Sequence, residues 1–398
     1  MSRSTSGVSF LMLVTFLAFI SIGFPDAVLG VAWPSMRATF DRQLSEVGFI
    51  LFASGSGYFL SGILAGKALE RFGVGRLLAL STALVAIGLF GYASTPTFWL
   101  LLVAGVLIGL GSGAVDAGLN FYAAEHFSVT VMNWLHAFFG IGAMLGPFIM
   151  AAVFAAGGGW RIGYLIVASA IAAMAIVFML TTDRWSDGAH KTETNPEPGV
   201  PVRQVLRMPL VWVQIALFHV MCGIEASAGL WTATMMIERF DASGREAGLW
   251  AGLFWGSMAV GRLVLAPLSG DLNPARLIQL GSFGVLAGAV LMISDHKTVF
   301  EAGLLLLGRA MAPLFPTLMS LTPVRLGSRV ALHAIGFQVS ATTLGIVAIP
   351  TVAGLVAERT TLTAIPLMMA IGAAIVIALE TVLRARTAHG STTSPSSV

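Results

Sequence analysis

Long apolar stretches separated by short polar breaks run along the chain from end to end. Twelve of them reach the length of about 20 residues that a helix needs to cross a bilayer. They cover residues 10–34, 46–69, 75–94, 97–124, 131–156, 161–182, 208–237, 246–270, 274–293, 298–323, 330–356 and 362–384. The breaks fall at turn-forming or charged positions, such as Arg71-Phe-Gly and Asp295-His-Lys. The pattern predicts an all-α membrane protein with twelve transmembrane helices.

The first stretch has a second interpretation, because Arg3 followed by apolar residues from Phe10 is also typical of a signal peptide. The run continues through Asp26 to Trp33, however, and has no small-residue cleavage site at its end. Many similar runs follow it. We therefore interpret this stretch as the first span.

Polar segments divide the chain. Residues 183–207 are rich in Pro, Glu, Thr and Lys and predict a flexible linker, while the Ser- and Thr-rich residues 387–398 predict a disordered tail. The expected domains are therefore an N-terminal six-helix bundle (1–182), the linker, a C-terminal six-helix bundle (208–386) and the tail.

The composition supports a lipid environment. Charged residues make up 10% of the chain and apolar residues 57%, and the mean hydropathy is +0.87. A soluble domain carries about 25% charged residues. This balance excludes a soluble enzyme, a nucleic-acid binder and a disordered chain. The one cysteine, Cys222, allows no disulfide within the chain.

The distribution of Lys and Arg predicts the topology. If the twelve spans alternate in direction, 14 basic residues lie on the side of the N-terminus and 7 on the opposite side, with Arg309 inside a span. Positive charge is retained on the cytoplasmic side. We expect both termini and the linker in the cytoplasm and the protein in a bacterial inner (plasma) membrane.

The two halves of the chain are related by a repeat at an offset of 200 residues. Identical residues occur at 23/223, 36/236, 46/246, 48/248, 76/276, 77/277, 80/280 and 88/288. Two parallel six-span halves are the repeat signature of a rocking transporter, in which the binding site lies between the halves near the midplane.

The segment after span two reads Gly66-x-x-x-Glu70-Arg71-x-Gly73-x-x-Arg76. It resembles the signature loop of the major facilitator superfamily, with Glu where Asp is usual. Ala266-x-x-x-Gly270-Asp271-x-Asn273-x-x-Arg276 is a weakened counterpart. The resemblance implies the major facilitator fold, and a gating role for Glu70, Arg71 and Arg76.

Several further stretches resemble the fucose permease group of sugar–proton symporters. They are Asp26 in span one, GAVDAGLN at 113–120, NWLHAFFGIGAMLGP at 133–147 and APLFPTLM at 312–319. The resemblance implies that acidic residues on spans one and four couple transport to protons. Asp26 and Asp116 occupy those places.

Four charges stand out within spans: Asp26, Asp116, Glu225 and Arg309. Such charges are costly in a membrane and usually face a cavity or a partner. The alternative is that each is a paired structural charge. Asp26 and Asp116 have no Lys or Arg within a helical turn. Because a buried carboxylate without a cation is costly to keep charged, each is a candidate to take up and release a proton.

Arg309 needs a carboxylate partner, since a lone buried guanidinium is costly. The sequence leaves two partners open, Glu225 in the same half and Asp116 across the cavity. A cation there would also bind an anionic or hydroxyl-rich substrate.

Weaker candidates complete the predicted substrate site. Asn120 shares a helix face with Asp116 and can bond a polyol, although a helix–helix hydrogen bond explains it equally well. The remaining candidates are Asn133, His136, Gln338, Trp33 and Trp231. A histidine in a span is also a common packing residue, and tryptophan is abundant at membrane interfaces for anchoring alone.

These features predict a proton-coupled secondary transporter of a small polar solute, a sugar or polyol, working by alternating access. The alternative is a proton-coupled efflux antiporter for drugs or metabolites, because Gly142-x-x-x-Gly146-Pro147 partly resembles an antiporter motif. No H-E-x-x-H, G-x-S-x-G or nucleotide-binding motif occurs, so we expect no enzyme activity. The expected partners are a small-molecule substrate, protons and the lipid bilayer, with no nucleic acid, cofactor or metal, and a monomeric state.

Overall fold

The computed structural model describes residues 4–127, 129–186, 200–265 and 272–391, which are helical almost throughout and contain no strand within these ranges. The thirteen α-helices are α1 (Ser4–Phe40), α2 (Val47–Ser94), α3 (Phe98–His126), α4 (Val129–Ala155), α5 (Trp160–Thr181), α6 (Val202–Val205), α7 (Pro209–Phe240), α8 (Gly244–Leu265), α9 (Pro274–Leu291), α10 (Lys297–Met311), α11 (Leu314–Leu326), α12 (Ser328–Arg359) and α13 (Ala364–Ser391). Two 3₁₀ helices, Leu44–Glu46 and Thr182–Ser186, precede α2 and follow α5.

The twelve predicted spans correspond to these helices. Within the described residues, 11 helical segments are long and apolar enough to cross a membrane. The segment Leu44–Ser94 is 51 residues long and contains two spans, because Gly73 has φ +71 and breaks the helix. Glycine adopts this conformation without steric cost. The predicted break at Arg71-Phe-Gly is therefore confirmed, and α10 with α11 forms span ten.

The polar segments differ in part from expectation. Thr182–Ser186 and Val202–Val205 are helical, so both ends of the predicted linker carry short helices. Residues 187–199, at the centre of the linker, lie outside the described residues. Helix α13 continues to Ser391 and so enters the predicted tail, while residues 392–398 are not described.

The chain forms two compact units. The first contains residues 1–191 and 229–269, and the second contains residues 192–228 and 270–398. The first unit thus includes α8 and the last part of α7. These units do not coincide with the predicted domain boundaries, and the bundle limits at 182 and 208 stay a prediction.

In the first unit, α2 packs along α3 and α5, and α4 packs along both α1 and α8. A cluster of buried apolar residues that includes Phe19, Leu78, Leu119 and Phe178 fills the space among α1, α2, α3 and α5. In the second unit, α9 packs against α10 and α13, and α11 packs against α12.

Glycines allow α4 to approach its two neighbours closely. A Cβ on Gly142 or Gly146 would collide with the backbone carbonyls of Ile20 and Phe24 on α1. On the other side of α4, Gly248 of α8 lies against Ala151 and the Pro147 carbonyl, so that a Cβ there would also be crowded. Small residues let helix backbones approach in lipid, where apolar burial gives little driving force. The Gly142-x-x-x-Gly146 pattern is therefore explained by packing against α1.

The repeat at 200 residues has a structural counterpart in the local backbone. Asp41 and Asp241 follow α1 and α7, and both have φ +52. Glu46 and Glu246 then lie at the start of the next helix in each half. Left-handed conformation is uncommon for residues other than glycine. Its recurrence at equivalent positions supports the two related halves.

We expect Gly142→Ala to destabilise the protein, because the added Cβ would overlap the Ile20 carbonyl. Overpacking of this kind costs about 1–3 kcal/mol. The matched control is Gly62→Ala on α2, where a Cβ would meet nothing within 4 Å and helix propensity improves. Thermal unfolding in detergent, followed by tryptophan fluorescence, measures both. Equal unfolding temperatures for the two variants would contradict close packing of α4 on α1 at Gly142.

Candidate functional site

Two carboxyl groups from different helices of the first unit lie close together. Asp26 belongs to α1 and Asp116 to α3, and their negative charges are near enough to interact unfavourably. The structure thus brings together the two residues that the sequence predicted for proton coupling. We call Asp26, Asp116 and the two partners described next, Tyr58 and Asn120, the acidic site.

Asp116 is held by hydrogen bonds on both of its carboxylate oxygens. The Tyr58 hydroxyl donates to Oδ2 at 2.8 Å, and Asn120 Nδ2 donates to Oδ1 at 2.8 Å. Asn120 Nδ2 also contacts the Asp116 backbone oxygen at 2.9 Å. This geometry fits an ionised carboxylate, which only accepts hydrogen bonds. The Asn120 amide nitrogen is thereby engaged within its own helix, and its side-chain carbonyl oxygen has no hydrogen-bond partner among the described residues.

Asp26 has a different environment. Its side chain is exposed, although it lies in the middle of a long apolar helix, directly after Pro25. Among the described residues the structure gives it no hydrogen-bond partner. Acidic side chains within spans usually face the interior of the helix bundle or a water-filled cavity. The acidic site therefore combines a carboxylate held by two hydrogen bonds with one that is exposed.

Tyr58 is the member of the site that the sequence did not indicate. It lies on α2 in a segment rich in Gly and apolar residues. In such a segment the sequence pattern favours a packing role for an aromatic residue. Its side chain is half-buried and reaches α3, 58 positions further along the chain. A single sequence does not specify which helix lies beside which, so this contact depends on the fold.

His136 lies apart in a second polar group. Its ring is exposed and contacts the edge of Phe19, with centroids 5.5 Å apart. Arg262 of α8 is near enough to act on it electrostatically, and the buried Arg262 Nε has no partner among the described residues. Asn133 lies in α4, but its side chain is not described.

Two of the other candidates, both tryptophans, are completely enclosed. Trp33 is 0% exposed and its indole Nε1 donates to the Leu44 carbonyl at 3.0 Å. Trp231 is also 0% exposed. Such rings have no open face for stacking on a solute, and neither lies at an exposed interface. Burial thus favours a packing role for both tryptophans in this arrangement.

Gln338 is likewise buried and takes part in a hydrogen-bond network of the second unit. Its Nε2 donates to Gln214 Oε1, and the Thr322 hydroxyl lies 3.2 Å from Gln338 Oε1. The network joins α7, α11 and α12. It favours a structural role for Gln338.

Glu225 and Arg309 both lie in the second unit. Glu225 is half-buried on α7, and Arg309 is exposed near the end of α10. The pairing of Arg309 with Glu225, and the alternative pairing with Asp116, both stay predictions.

The residues of the predicted gating loop lie around the break in α2. Glu70, Arg71 and Arg76 are all exposed, on either side of Gly73. The counterpart segment is described only from residue 272, where Asn273 Oδ1 accepts from the backbone N–H of Ala275 at 2.9 Å and caps α9. Exposure of three charged side chains at a helix break is consistent with a loop at the membrane surface.

The C-terminal end of α1 packs against the C-terminal end of α7. Arg37 Nη2 forms an ion pair with Glu238 Oε1, and both side chains are about one-third exposed. Below this pair, Gly30 packs on the backbone of Gly229 and Leu230, where a Cβ would overlap. Asp26 precedes Arg37 by eleven residues, about 16 Å along the helix axis. The contact between the ends of α1 and α7 is thus well separated from Asp26 along α1.

The described residues contain no group of three His, Cys, Asp or Glu side chains that would hold a metal ion. The polar groups of the acidic site are two carboxyls, a phenol and an amide.

Comparison with known sequences places these features in a family. The pattern of the Major Facilitator Superfamily matches residues 11–331. Bypass of stop codon protein 6 of Saccharomyces cerevisiae is 22% identical over 389 residues, 88% of this chain and 78% of that protein. An uncharacterized transporter, y4wD, of Sinorhizobium fredii is 27% identical over 372 residues, 88% of this chain and 92% of that one. Sodium-dependent glucose transporter 1 of Danio rerio is 21% identical over 356 residues, 79% of this chain and 60% of that one.

Solved structures agree on the fold. A mutant of the nucleoside transporter NupG superposes with a TM-score of 0.76 at 14% identity, covering 94% of this chain and 99% of the other. The fucose:proton symporter FucP of E. coli gives a TM-score of 0.65 at 15% identity, covering 95% and 99%. The predicted resemblance to the fucose permease therefore holds at the level of fold.

The match over residues 11–331 confirms the predicted fold, which is that of transporters and not of enzymes. With its twelve apolar spans, the chain is an integral membrane protein. It belongs to the Major Facilitator Superfamily and is a transporter.

Proposed function

We propose that the protein is a proton-coupled symporter that moves a small polyhydroxylated solute, a sugar or polyol, across the plasma membrane. The acidic site carries this proposal. It holds two carboxyls in mid-span without a cation, and one of them is open to water. Such groups take up a proton at low cost and release it when their surroundings change. Both termini lie in the cytoplasm in this proposal, as the distribution of basic residues favours.

The two acids divide the work. Asp26 meets water and exchanges a proton with the side from which the solute enters. Asp116 shares its charge with the Tyr58 and Asn120 donors, so its protonation breaks or reverses the bond to Tyr58. Because Tyr58 is on α2 and Asp116 on α3, this links proton binding to the contact between two helices. Proton uptake thereby lowers the repulsion between the acids and favours the rearrangement that carries the solute across.

Hydrogen-bonding groups at the site suit a polyol. A hydroxyl-rich solute needs partners that both donate and accept, and the site offers carboxylate, phenol and amide groups. The similarity to a protein named as a glucose transporter and to one named as a fucose:proton symporter supports the same substrate class. We include Glu225, Arg309, His136 and Asn133 as candidates for further solute contacts.

The efflux alternative depends on the Gly142-x-x-x-Gly146-Pro147 pattern, and the packing of those two glycines on α1 explains the pattern as well. Symport is therefore the function that we test.

We expect Asp26→Asn and Asp116→Asn each to abolish uphill uptake in proteoliposomes, because amides cannot exchange protons. Counterflow of labelled solute down its own gradient should partly survive. The solute is first selected by thermal shift from a panel of hexoses, pentoses and polyols. The control is Glu125→Gln, an exposed carboxyl at the end of α3.

Undiminished proton-driven uptake in both Asp variants would overturn the coupling assignment. A rate of solute uptake by the unmodified protein that does not depend on the pH gradient would overturn the proposed symport. Solute expulsion in exchange for protons would instead establish the antiporter.

Tyr58→Phe should reduce proton-driven uptake by about tenfold, which corresponds to about 1.4 kcal/mol for a hydrogen bond to a charged group. The matched control is Tyr164→Phe, since the Tyr164 hydroxyl is buried in the same unit without a partner among the described residues. That variant should transport normally. Initial rates at several external pH values measure both, and equal losses in the two variants would show that Tyr58 acts only by packing.

The Arg37–Glu238 pair provides a test of alternating access. Each single charge reversal, Arg37→Glu or Glu238→Arg, places like charges together and should separate the ends of α1 and α7 and slow net transport. The double swap restores the attraction and should recover part of the rate. Labelling of Ser35→Cys, a half-buried position on α1, by an impermeant thiol reagent reports the opening. An unchanged labelling rate in both single reversals would contradict a gating role.

A further inference from the structure

Each half of the repeat contains a small cavity lined mostly by buried residues, and the two cavities occupy equivalent positions. The first cavity is bordered by Ser21, Thr82 and Val85, and the second by Met221, Ser282 and Val285. These residues correspond one to one at the offset of 200. Each cavity lies inside its own unit and has a volume of about 10 Å³. That volume is enough for one water molecule.

A buried hydroxyl without a partner borders each cavity. Thr82 is 3% exposed and so is Ser282, and neither side-chain oxygen has a hydrogen-bond partner among the described residues. Leaving such a group unsatisfied costs about 1–3 kcal/mol. Each half thus has an unsatisfied hydroxyl at the same place. The residues around each cavity decide whether a water molecule can bond to that hydroxyl.

Three of the eight residues that line the first cavity carry hydroxyl groups. Ser21 of α1 and Ser112 of α3 border it together with Thr82 of α2. The Ser21 hydroxyl donates to the Ala18 carbonyl at 2.8 Å, which leaves its lone pairs free to accept. In addition, Pro25 has no N–H to offer the Ser21 carbonyl, as a helix would require four residues on. Several polar groups from three helices therefore converge there.

The second cavity offers no such set. Beside Ser282 it is bordered by apolar residues and by the thioethers of Met221 and Met311, which are weak acceptors. A buried water needs two to four polar partners. Ser282 alone does not provide them.

We propose that the first cavity binds one structural water molecule, bonded to Thr82, Ser112 and Ser21, and that the second cavity is dry. The water joins α1, α2 and α3 directly behind the acidic site, because Pro25 precedes Asp26 and Val115 precedes Asp116. This water provides the hydrogen-bond partner of the Thr82 hydroxyl. It also stabilises α1 near Pro25 through its bond to Ser21. The two halves thereby differ in hydration at one repeated position, and the hydrated half carries the acidic site.

Hydroxyl-radical footprinting of the full protein in detergent tests this directly. X-rays generate radicals from bound water, which oxidise the side chains beside it. We expect oxidation at Ile22 and Pro25 beside the first cavity and none above background at Met221 and Met311 beside the second. Methionine is readily oxidised, so a water in the second cavity would be detected there. Absence of oxidation at Ile22 and Pro25, or oxidation at Met221 and Met311, would overturn the proposal.

Substitution gives a second test with opposite signs in the two halves. Thr82→Val keeps the shape but removes a partner of the water, so the unfolding temperature should fall by about 2 °C. Thr82→Ser retains the hydroxyl and should keep more of the stability. Ser282→Ala removes an unsatisfied hydroxyl from a dry cavity and should leave the unfolding temperature unchanged or raise it.

A rise in the unfolding temperature of Thr82→Val would mean that the first cavity is dry as well. A fall of equal size in Thr82→Val and Ser282→Ala would mean that both cavities are hydrated. Either result contradicts the proposed asymmetry. The footprinting test uses the unmodified chain, so it remains decisive if a variant fails to fold.

Discussion

The cost of placing charge in a lipid environment governs this molecule. A carboxylate in mid-span must meet water, a cation or hydrogen-bond donors, because hydrocarbon offers none of them. Asp116 meets this requirement through the donors of Tyr58 and Asn120, and Asp26 meets it through its position open to water. Two acids of the same type thus have different surroundings within one site. In the proposed mechanism, that difference lets the two acids exchange protons rather than hold a permanent pair.

Close helix packing makes the site possible. Apolar burial gives helices little reason to associate in lipid, so glycines that admit direct backbone contact do much of this work. Gly142 and Gly146 bring α4 onto α1, and Gly248 brings α8 onto the other side of α4. Helix α1 is thereby fixed along the length that carries Asp26. The same glycines explain a motif that sequence alone linked to efflux.

The two halves share their backbone arrangement but differ in the side chains at equivalent positions. Asp41 and Asp241 keep the same unusual backbone conformation, and the paired cavities keep the same place in each half. The residues around them have changed. Ser21 corresponds to Met221 and Asp26 to Ala226, so these two positions are polar in the first half and apolar in the second. In the proposed mechanism, the proton-exchanging residues therefore belong to one half of the repeat.

Hydropathy and charge along the chain determined the number of spans, the break at Gly73, the repeat and the short set of mid-span charges that includes Asp26 and Asp116. These features are local, since lipid selects apolar runs of fixed length and penalises each charge individually. The tertiary structure alone decided which side chains meet. Tyr58 reaches Asp116 across 58 positions, while Trp33 and Gln338 are enclosed by other helices. Helix adjacency depends on the packing of distant backbones, and no local pattern in one sequence encodes it.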